Sequence, residues 1–249
     1  MDSADPPYPH VVETPHAHAE IERPMHAIVA VKSLRSAKSR LADELDSDAR
    51  ADLVLAMLHD TLSTVASVSA IDGVTVVTPD PTVAALAYSV GVTVYADPTP
   101  DGARTNGAPP RTEETLNAAL SAAATDIRAK RGVVDLVVLQ ADLPAMQPSE
   151  LSEAVVAARR GGRSIVVDHL GTGTSALFAC GESSLDPLFG PESARGHTNS
   201  GARRLTGQWP GLRTDVDTHA DLDTVRALGV GPATLASLTR LKAAPSNSR

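Results

Sequence analysis

Three stretches of this sequence hold residue types able to do chemistry. In Val31-Lys32-Ser33-Leu34-Arg35-Ser36-Ala37-Lys38-Ser39-Arg40-Leu41, four cations fall within nine residues, with three serines and no acid among them. Backbone N–H groups, hydroxyls and point charges in one loop suit a polyphosphate; on charge alone a solvated basic turn explains them equally well. The glycines of a Walker loop or a dinucleotide fingerprint are missing. Asp142 stands in Leu139-Gln140-Ala141-Asp142-Leu143-Pro144, directly after the most apolar run. A carboxylate in such a crevice is costly without a cation partner, which favours a metal ligand over the alternative of a helix cap or loop acid. Asp215 and Asp217 are two apart, so in an extended segment both point to one side and can face one cation. Asp217 could instead, or in addition, cap a helix starting near Thr218. Hard oxygen donors, few in number, favour Mg²⁺ over zinc, with substrate phosphates completing the shell.

Two further loops suggest an anionic acceptor. Gly171-Thr172-Gly173-Thr174-Ser175 lacks bulk and offers hydroxyls, and Phe189-Gly190-Pro191-Glu192-Ser193 is a turn leading towards Arg195 and His197. Ordinary turn chemistry accounts for either alone. There is no G-x-S-x-G elbow and no H-E-x-x-H, and Cys180 sits in an apolar stretch that favours a buried thiol over a nucleophile. Charge neutralisation without a nucleophilic side chain is what phosphoryl and nucleotidyl transfer require.

These residues must be held by something, and the chain alternates strand-like and helix-like segments. Met25 to Val31 reads as a buried strand. Ser47 can cap an amphipathic helix to about Val68. Val74 to Thr78 is β-branched and stops at Pro79; Asp80-Pro81 is an N-cap followed by proline at the first helical position. Val92 to Ala96 is a third strand, Thr112 to Ala129 a helix, and Val133 to Gln140 the central strand. A helix follows Pro148 to about Arg160, then a strand from Ser164 to Asp168. Glycines from 171 to 201 mark an insertion of loops and short strands, before helices near Thr218 to Leu228 and Pro232 to Leu241. Such alternation predicts one α/β domain (residues 25–242) with a mainly parallel sheet, where ligands collect at the carboxyl ends of the strands. The proline-rich stretch 1–24, with His10, His16 and His18, reads as a disordered leader, and 243–249 as a frayed tail.

Composition sets the outer limits. At 249 residues and 42% hydrophobic content the chain can bury a full core, and with 2% aromatics that core is aliphatic. A net charge of −8 argues against nucleic acid as partner. The single cysteine excludes an intrachain disulfide. With no apolar run of membrane-spanning length and no signal-like opening, a cytoplasmic protein away from membranes is expected.

At these residues the chain resembles the guanylyltransferases of coenzyme F-420 biosynthesis, the CofC/FbiD family. The resemblance rests on Ala30-Val31-Lys32-Ser33-Leu34 with Ala37-Lys38-Ser39-Arg40-Leu41-Ala42, Leu116-Asn117-Ala118-Ala119, Val138 to Pro144, Gly171 to Thr174, Phe189 to Ser193, and Asp215-Val216-Asp217-Thr218. It implies a nucleotidyltransferase fold of the sugar-nucleotide pyrophosphorylase type. It implies Lys32, Lys38 and Arg40 on GTP phosphates and Asn117 near the nucleoside. Asp142 and Asp215, with Asp217, would hold Mg²⁺, and Lys38, Asp142 and Asp215 would be catalytic. Thr174, Gly190 and Ser193 would hold the acceptor phosphate. Closest is the mycobacterial form, which implies phosphoenolpyruvate as acceptor; archaeal relatives are associated with 2-phospho-L-lactate. A guanylyltransferase acting on the molybdenum cofactor, a sugar-phosphate-activating enzyme and a non-catalytic nucleotide-binding protein are the rival readings, and a homodimer is compatible with all of them. The loop 97–111 is longer than the family pattern.

Overall fold

The computed structural model describes residues 23–32, 34, 38–43, 45–97 and 112–243. The expectations for the leader up to residue 22, for loop residues 98–111, for Ser33, Arg35, Ser36 and Ala37, and for 244–249 lie outside the described residues. Strands β1 (Met25–Ala30), β2 (Ile71–Thr78), β3 (Thr93–Ala96), β4 (Asp135–Leu139), β5 (Gly162–Val167), β6 (Thr174–Cys180) and β7 (Arg203–Arg204) form one sheet in the order β3-β2-β1-β4-β6-β5-β7. The pairs β1–β2, β1–β4, β2–β3 and β5–β7 are parallel, whereas β6 runs antiparallel to both β4 and β5. The sheet is thus mainly parallel, as expected, with one reversed strand in its second half.

Burial on both faces explains the unbroken apolar runs of the inner strands. Along β1, Met25, Ala27 and Val29 enter one cluster with helices α1 (Ser47–Ser67), α2 (Pro81–Ser89) and α4 (Pro148–Ala158), while Ile28 enters the other with α3 (Thr112–Arg131). In β4, Val137 and Leu139 alternate with Leu136 and Val138 in the same manner. The short helices α5 (Ser193–Asn199) and α6 (Pro210–Arg213), followed by α7 (His219–Leu228) and α8 (Pro232–Ala243), complete the chain. Among the described residues no helix is long and apolar enough to cross a membrane.

The helix starts follow from local chemistry, with two corrections. Asp46, not Ser47, caps α1, accepting the Ala49 N–H at 2.8 Å; adjacent Asp and Ser compete for this role and the extended backbone at Asp46 decides it. Thr218, not Asp217, caps α7 and shares a capping box with Asp221, which leaves the Asp217 carboxylate for other work. The Asp80-Pro81 start of α2 is as expected. The glycine-rich second half holds more order than loops and short strands: β6 is seven residues long and wholly buried.

Asp60, in the middle of α1 and 4% exposed, accepts from the Ala233 and Thr234 N–H groups and so caps α8 from across the core. Gly231 leaves no room for a side chain there, because a Cβ would run into the Asp60 carboxylate. Asp60→Ala strands buried donors and is expected to lower unfolding stability by about 1–3 kcal/mol, read from urea denaturation midpoints.

Candidate active site

Parallel strands bring their carboxyl ends to one edge, and the antiparallel β6 brings its amino end there too. β1 and β4 lie side by side, with Val29 opposite Leu139, so the loop after β1 faces the run that leaves β4 through Gln140 and Asp142. Pairing of Leu139 with Ala176 sets Thr174 beside that same strand end, where the Gln140 side-chain amide donates to the Thr174 carbonyl at 3.3 Å. The 214–217 segment is tied to the end of β5 by His169 N–H donating to the Arg213 carbonyl at 2.8 Å. Buried Glu150 secures the approach, accepting from the Gly211 and Leu212 N–H groups at 2.9 and 3.1 Å.

At the centre the Lys38 ammonium donates to Asp142 and, at 2.8 Å, to Asp217. Burial alone would lower the Lys38 pKa; the two carboxylates outweigh it and hold the ammonium above the usual lysine value. Lys38 also has φ of 54°, a left-handed conformation unfavourable for a side-chain-bearing residue, which the flanking ion pairs must sustain. Asp215 is the complement. Burial, with Asp142 and then Asp217 nearby, pushes its carboxyl up to about 7. Three carboxylates around one ammonium leave the site short of positive charge.

His169 had not stood out in the sequence. Its Nε2 lies 3.1 Å from Asp221 Oδ1 and its Nδ1 4.0 Å from Asp215 Oδ1. Burial works against the charged Asp221, but hydrogen bonds from Thr218 and the Asp217 N–H hold its pKa below the ordinary carboxylate value. The same carboxylate that caps α7 therefore also fixes the backbone at Asp217.

The other expected nucleotide residues separate. Lys32 reaches Asp97 at 3.2 Å and donates to Thr115 at 2.6 Å, joining the ends of β1 and β3 to the start of α3. Arg40, exposed on the 3-10 turn Ser39–Leu41, makes no ion pair among the described residues. Both ends of the Asn117 amide are taken by one residue: its Nδ2 donates to the Phe189 carbonyl and its Oδ1 accepts the Phe189 N–H, each at 2.9 Å. Asn117 thus clamps the loop that leads to Gly190.

Thr174, Gly190 and Ser193 do come together. Ser193 lies 3.2 Å from the Thr174 hydroxyl, and its N–H donates to the Gly190 carbonyl at 3.2 Å. Gly190 has φ of 141°, and a Cβ there would press on Glu113 at 3.0 Å, so the turn requires glycine. His197, wholly buried, joins this cluster through Thr174 at 3.0 Å.

Among the described residues no three His, Cys, Asp or Glu side chains form a ready-made cation shell. The donor set nonetheless fits a hard divalent ion. Two or three carboxylates, one of them raised in pKa by burial and by its acidic neighbours, are what such an ion takes from protein when phosphates supply the remaining ligands.

Residues 25–200 match the family described as "Guanylyl transferase CofC like". The chain belongs to this family. It is 89% identical to a phosphoenolpyruvate guanylyltransferase from Rhodococcus erythropolis over 90% of this chain and 100% of that one. A protein of the same name from Rhodococcus opacus is 58% identical, over 89% of this chain and 93% of its own. Solved structures share the fold at low identity. One is a nucleotidyl transferase from Methanothermobacter (18% identical, TM-score 0.54, 82% of this chain and 96% of that one). Another is a Mycobacterium tuberculosis protein in complex with manganese (17% identical, TM-score 0.50, 82% and 97%).

The Asp215 carboxyl gives a stability signature in the family member itself. Its folded pKa of about 7 lies above the ordinary carboxylate value of 3.8, so between those values the native state binds the extra proton. That contribution to stability is fully present below about pH 4 and is lost as pH rises through about 7. Without divalent cations, Asp215→Asn should melt above the wild type at pH 8 and show a flatter dependence on pH, as thermal scans across pH 5–8 will read.

Proposed function

We propose that the chain transfers GMP from GTP to phosphoenolpyruvate, giving enolpyruvoyl-2-diphospho-5'-guanosine and pyrophosphate in coenzyme F-420 biosynthesis. The observation that carries the reading is the Lys38 ammonium held by Asp142 and Asp217 on the sheet edge that also bears Thr174 and Ser193. Cationic and hydroxylic groups on one edge suit two anionic substrates that must meet. The 89% identity to a phosphoenolpyruvate guanylyltransferase supports the choice of acceptor.

In this mechanism an acceptor phosphate oxygen attacks the α-phosphorus of GTP in line, and pyrophosphate leaves. A phosphate monoester loses its second proton at about pH 6, so the nucleophile is already ionised at neutral pH and needs no general base. Repulsion between anions is the obstacle. Lys38 moves from its carboxylates towards the phosphates and offsets charge there, while Thr174 and Ser193 donate to the acceptor phosphate and Gly190 lets its backbone approach. Lys32 and Arg40 are assigned to the outer phosphates of GTP. Asn117 acts through the Phe189 turn rather than on the base. Asp142 and Asp215, with Asp217 beside them, would hold Mg²⁺, which neutralises phosphate charge and stabilises the leaving oxygens when bound. GTP and phosphoenolpyruvate are intracellular metabolites, which assigns the reaction to the cytoplasm.

Pyrophosphate release should therefore require GTP with phosphoenolpyruvate, and be weaker with 2-phospho-L-lactate and with ATP, CTP or UTP. Equal turnover with phospholactate would remove the acceptor assignment. Asp142→Asn should lower kcat by about 10²–10³-fold, the loss typical when one preorganised charge-stabilising contact is removed; near-full turnover in this variant would refute the metal role.

A further inference from the structure

His197 is completely buried, and its hydrogen bonds determine where its proton sits. Its Nε2 lies 2.8 Å from the Leu188 backbone nitrogen, which can only donate. Nε2 therefore accepts, and the ring of a neutral imidazole carries its hydrogen on Nδ1. Nδ1 faces the Thr174 hydroxyl at 3.0 Å, and the Thr174 hydroxyl faces that of Ser193 at 3.2 Å. Burial and the nearby Arg163 guanidinium hold the His197 pKa down to about 4, so the ring is neutral at physiological pH.

Counting hydrogens gives a directional result. Three are present, on Nδ1, on Thr174 Oγ1 and on Ser193 Oγ, but the three groups are joined by only two contacts. Nδ1–H points into the first contact and is shared with the Ser193 backbone carbonyl, and the Thr174 hydroxyl cannot donate to a nitrogen that carries a hydrogen. One hydroxyl hydrogen fills the second, whichever way that bond runs. The remaining hydroxyl hydrogen has no further acceptor among the described residues, although Thr174 and Ser193 are 2% and 4% exposed. A buried donor without an acceptor is unfavourable, and the group that relieves it must be an acceptor, such as an anionic oxygen.

We propose that His197 is the positioning residue of the acceptor site: through Nδ1–H it occupies a lone pair of Thr174, which turns the Thr174–Ser193 pair into a hydrogen-bond donor aimed at the acceptor's phosphate or carboxylate. Were Nδ1 unprotonated, Thr174 would donate to the ring and take its hydrogen out of the site. The same imidazole pins the Leu188 N–H, while half-buried Asn117 pins Phe189, so two side chains hold the peptide run that ends in Gly190. This rests on the assignment of Thr174 and Ser193 to the acceptor, and the test separates the two claims.

His197→Phe keeps the ring volume and removes both nitrogens. It should raise KM for phosphoenolpyruvate about tenfold or more, roughly one net hydrogen bond, and leave KM for GTP within about twofold. His197→Asn sets an amide donor near the former Nδ1 and should recover much of that loss. Thr174→Val serves as the reference. If His197→Phe leaves KM for phosphoenolpyruvate unchanged while Thr174→Val raises it, the role of His197 is overturned and the acceptor site stands. If neither variant changes it, the acceptor site falls and the inference with it. Should the phenylalanine variant fail to fold, ¹⁵N-histidine spectra of the wild type decide: a neutral ring protonated at Nδ1 supports the proposal, and protonation at Nε2 at neutral pH overturns it.

Discussion

An ammonium shared by two carboxylates joins parts of this chain that are far apart in sequence: Lys38 from the loop after β1, Asp142 from the end of β4, and Asp217 from the turn before α7. None of the three groups is well placed without the others. Lys38 sits in a left-handed backbone conformation, and Asp142 is 8% exposed. Asp215 is the carboxyl left over: burial, with Asp142 and Asp217 nearby, pushes it up to about 7. A site in this state attracts cations, which supply the charge it lacks and which a polyphosphate can bring with it.

The sheet order makes this juxtaposition inevitable. Placing β4 next to β1 sets the basic loop against Asp142, and reversing β6 adds Thr174 to the same edge although it lies at the start of its strand. Polar side chains then fix the backbone around the charges. Glu150 fixes the turn before Thr214, Asp221 fixes the backbone at Asp217, and Asn117 fixes Phe189. The charged centre can be under-neutralised because the backbone that bears it is satisfied elsewhere.

Much of this was legible in the sequence, for physical reasons. Parallel strands buried on two faces read as apolar runs, which exposed β1 and β4, and Asp-Pro marked the start of α2. The same rule hid β6: buried on both faces, it shows no alternation, and its glycine-rich approach reads as loop. Lys38 was visible within a cationic run after the first strand, Asp142 as a single acid after the central one, and Asp215 and Asp217 as a pair two residues apart. The ion pairs of Lys38 with Asp142 and Asp217 were not, since they depend on strand order. Asn117 and His197 were harder still. Asn117 is a polar residue inside a helix, and His197 lies in the short, glycine-containing helix α5, so only their partners across the fold reveal what they hold.

If Lys38 neutralises the carboxylates until substrate and metal arrive, it competes with the metal for them. Calorimetric titration of Mg²⁺ or Mn²⁺ into wild type and Lys38→Met, both without nucleotide, tests this directly. The account predicts tighter cation binding by Lys38→Met, together with loss of pyrophosphate release in the full reaction. Cation affinity unchanged or weakened in Lys38→Met, with turnover retained, would contradict it.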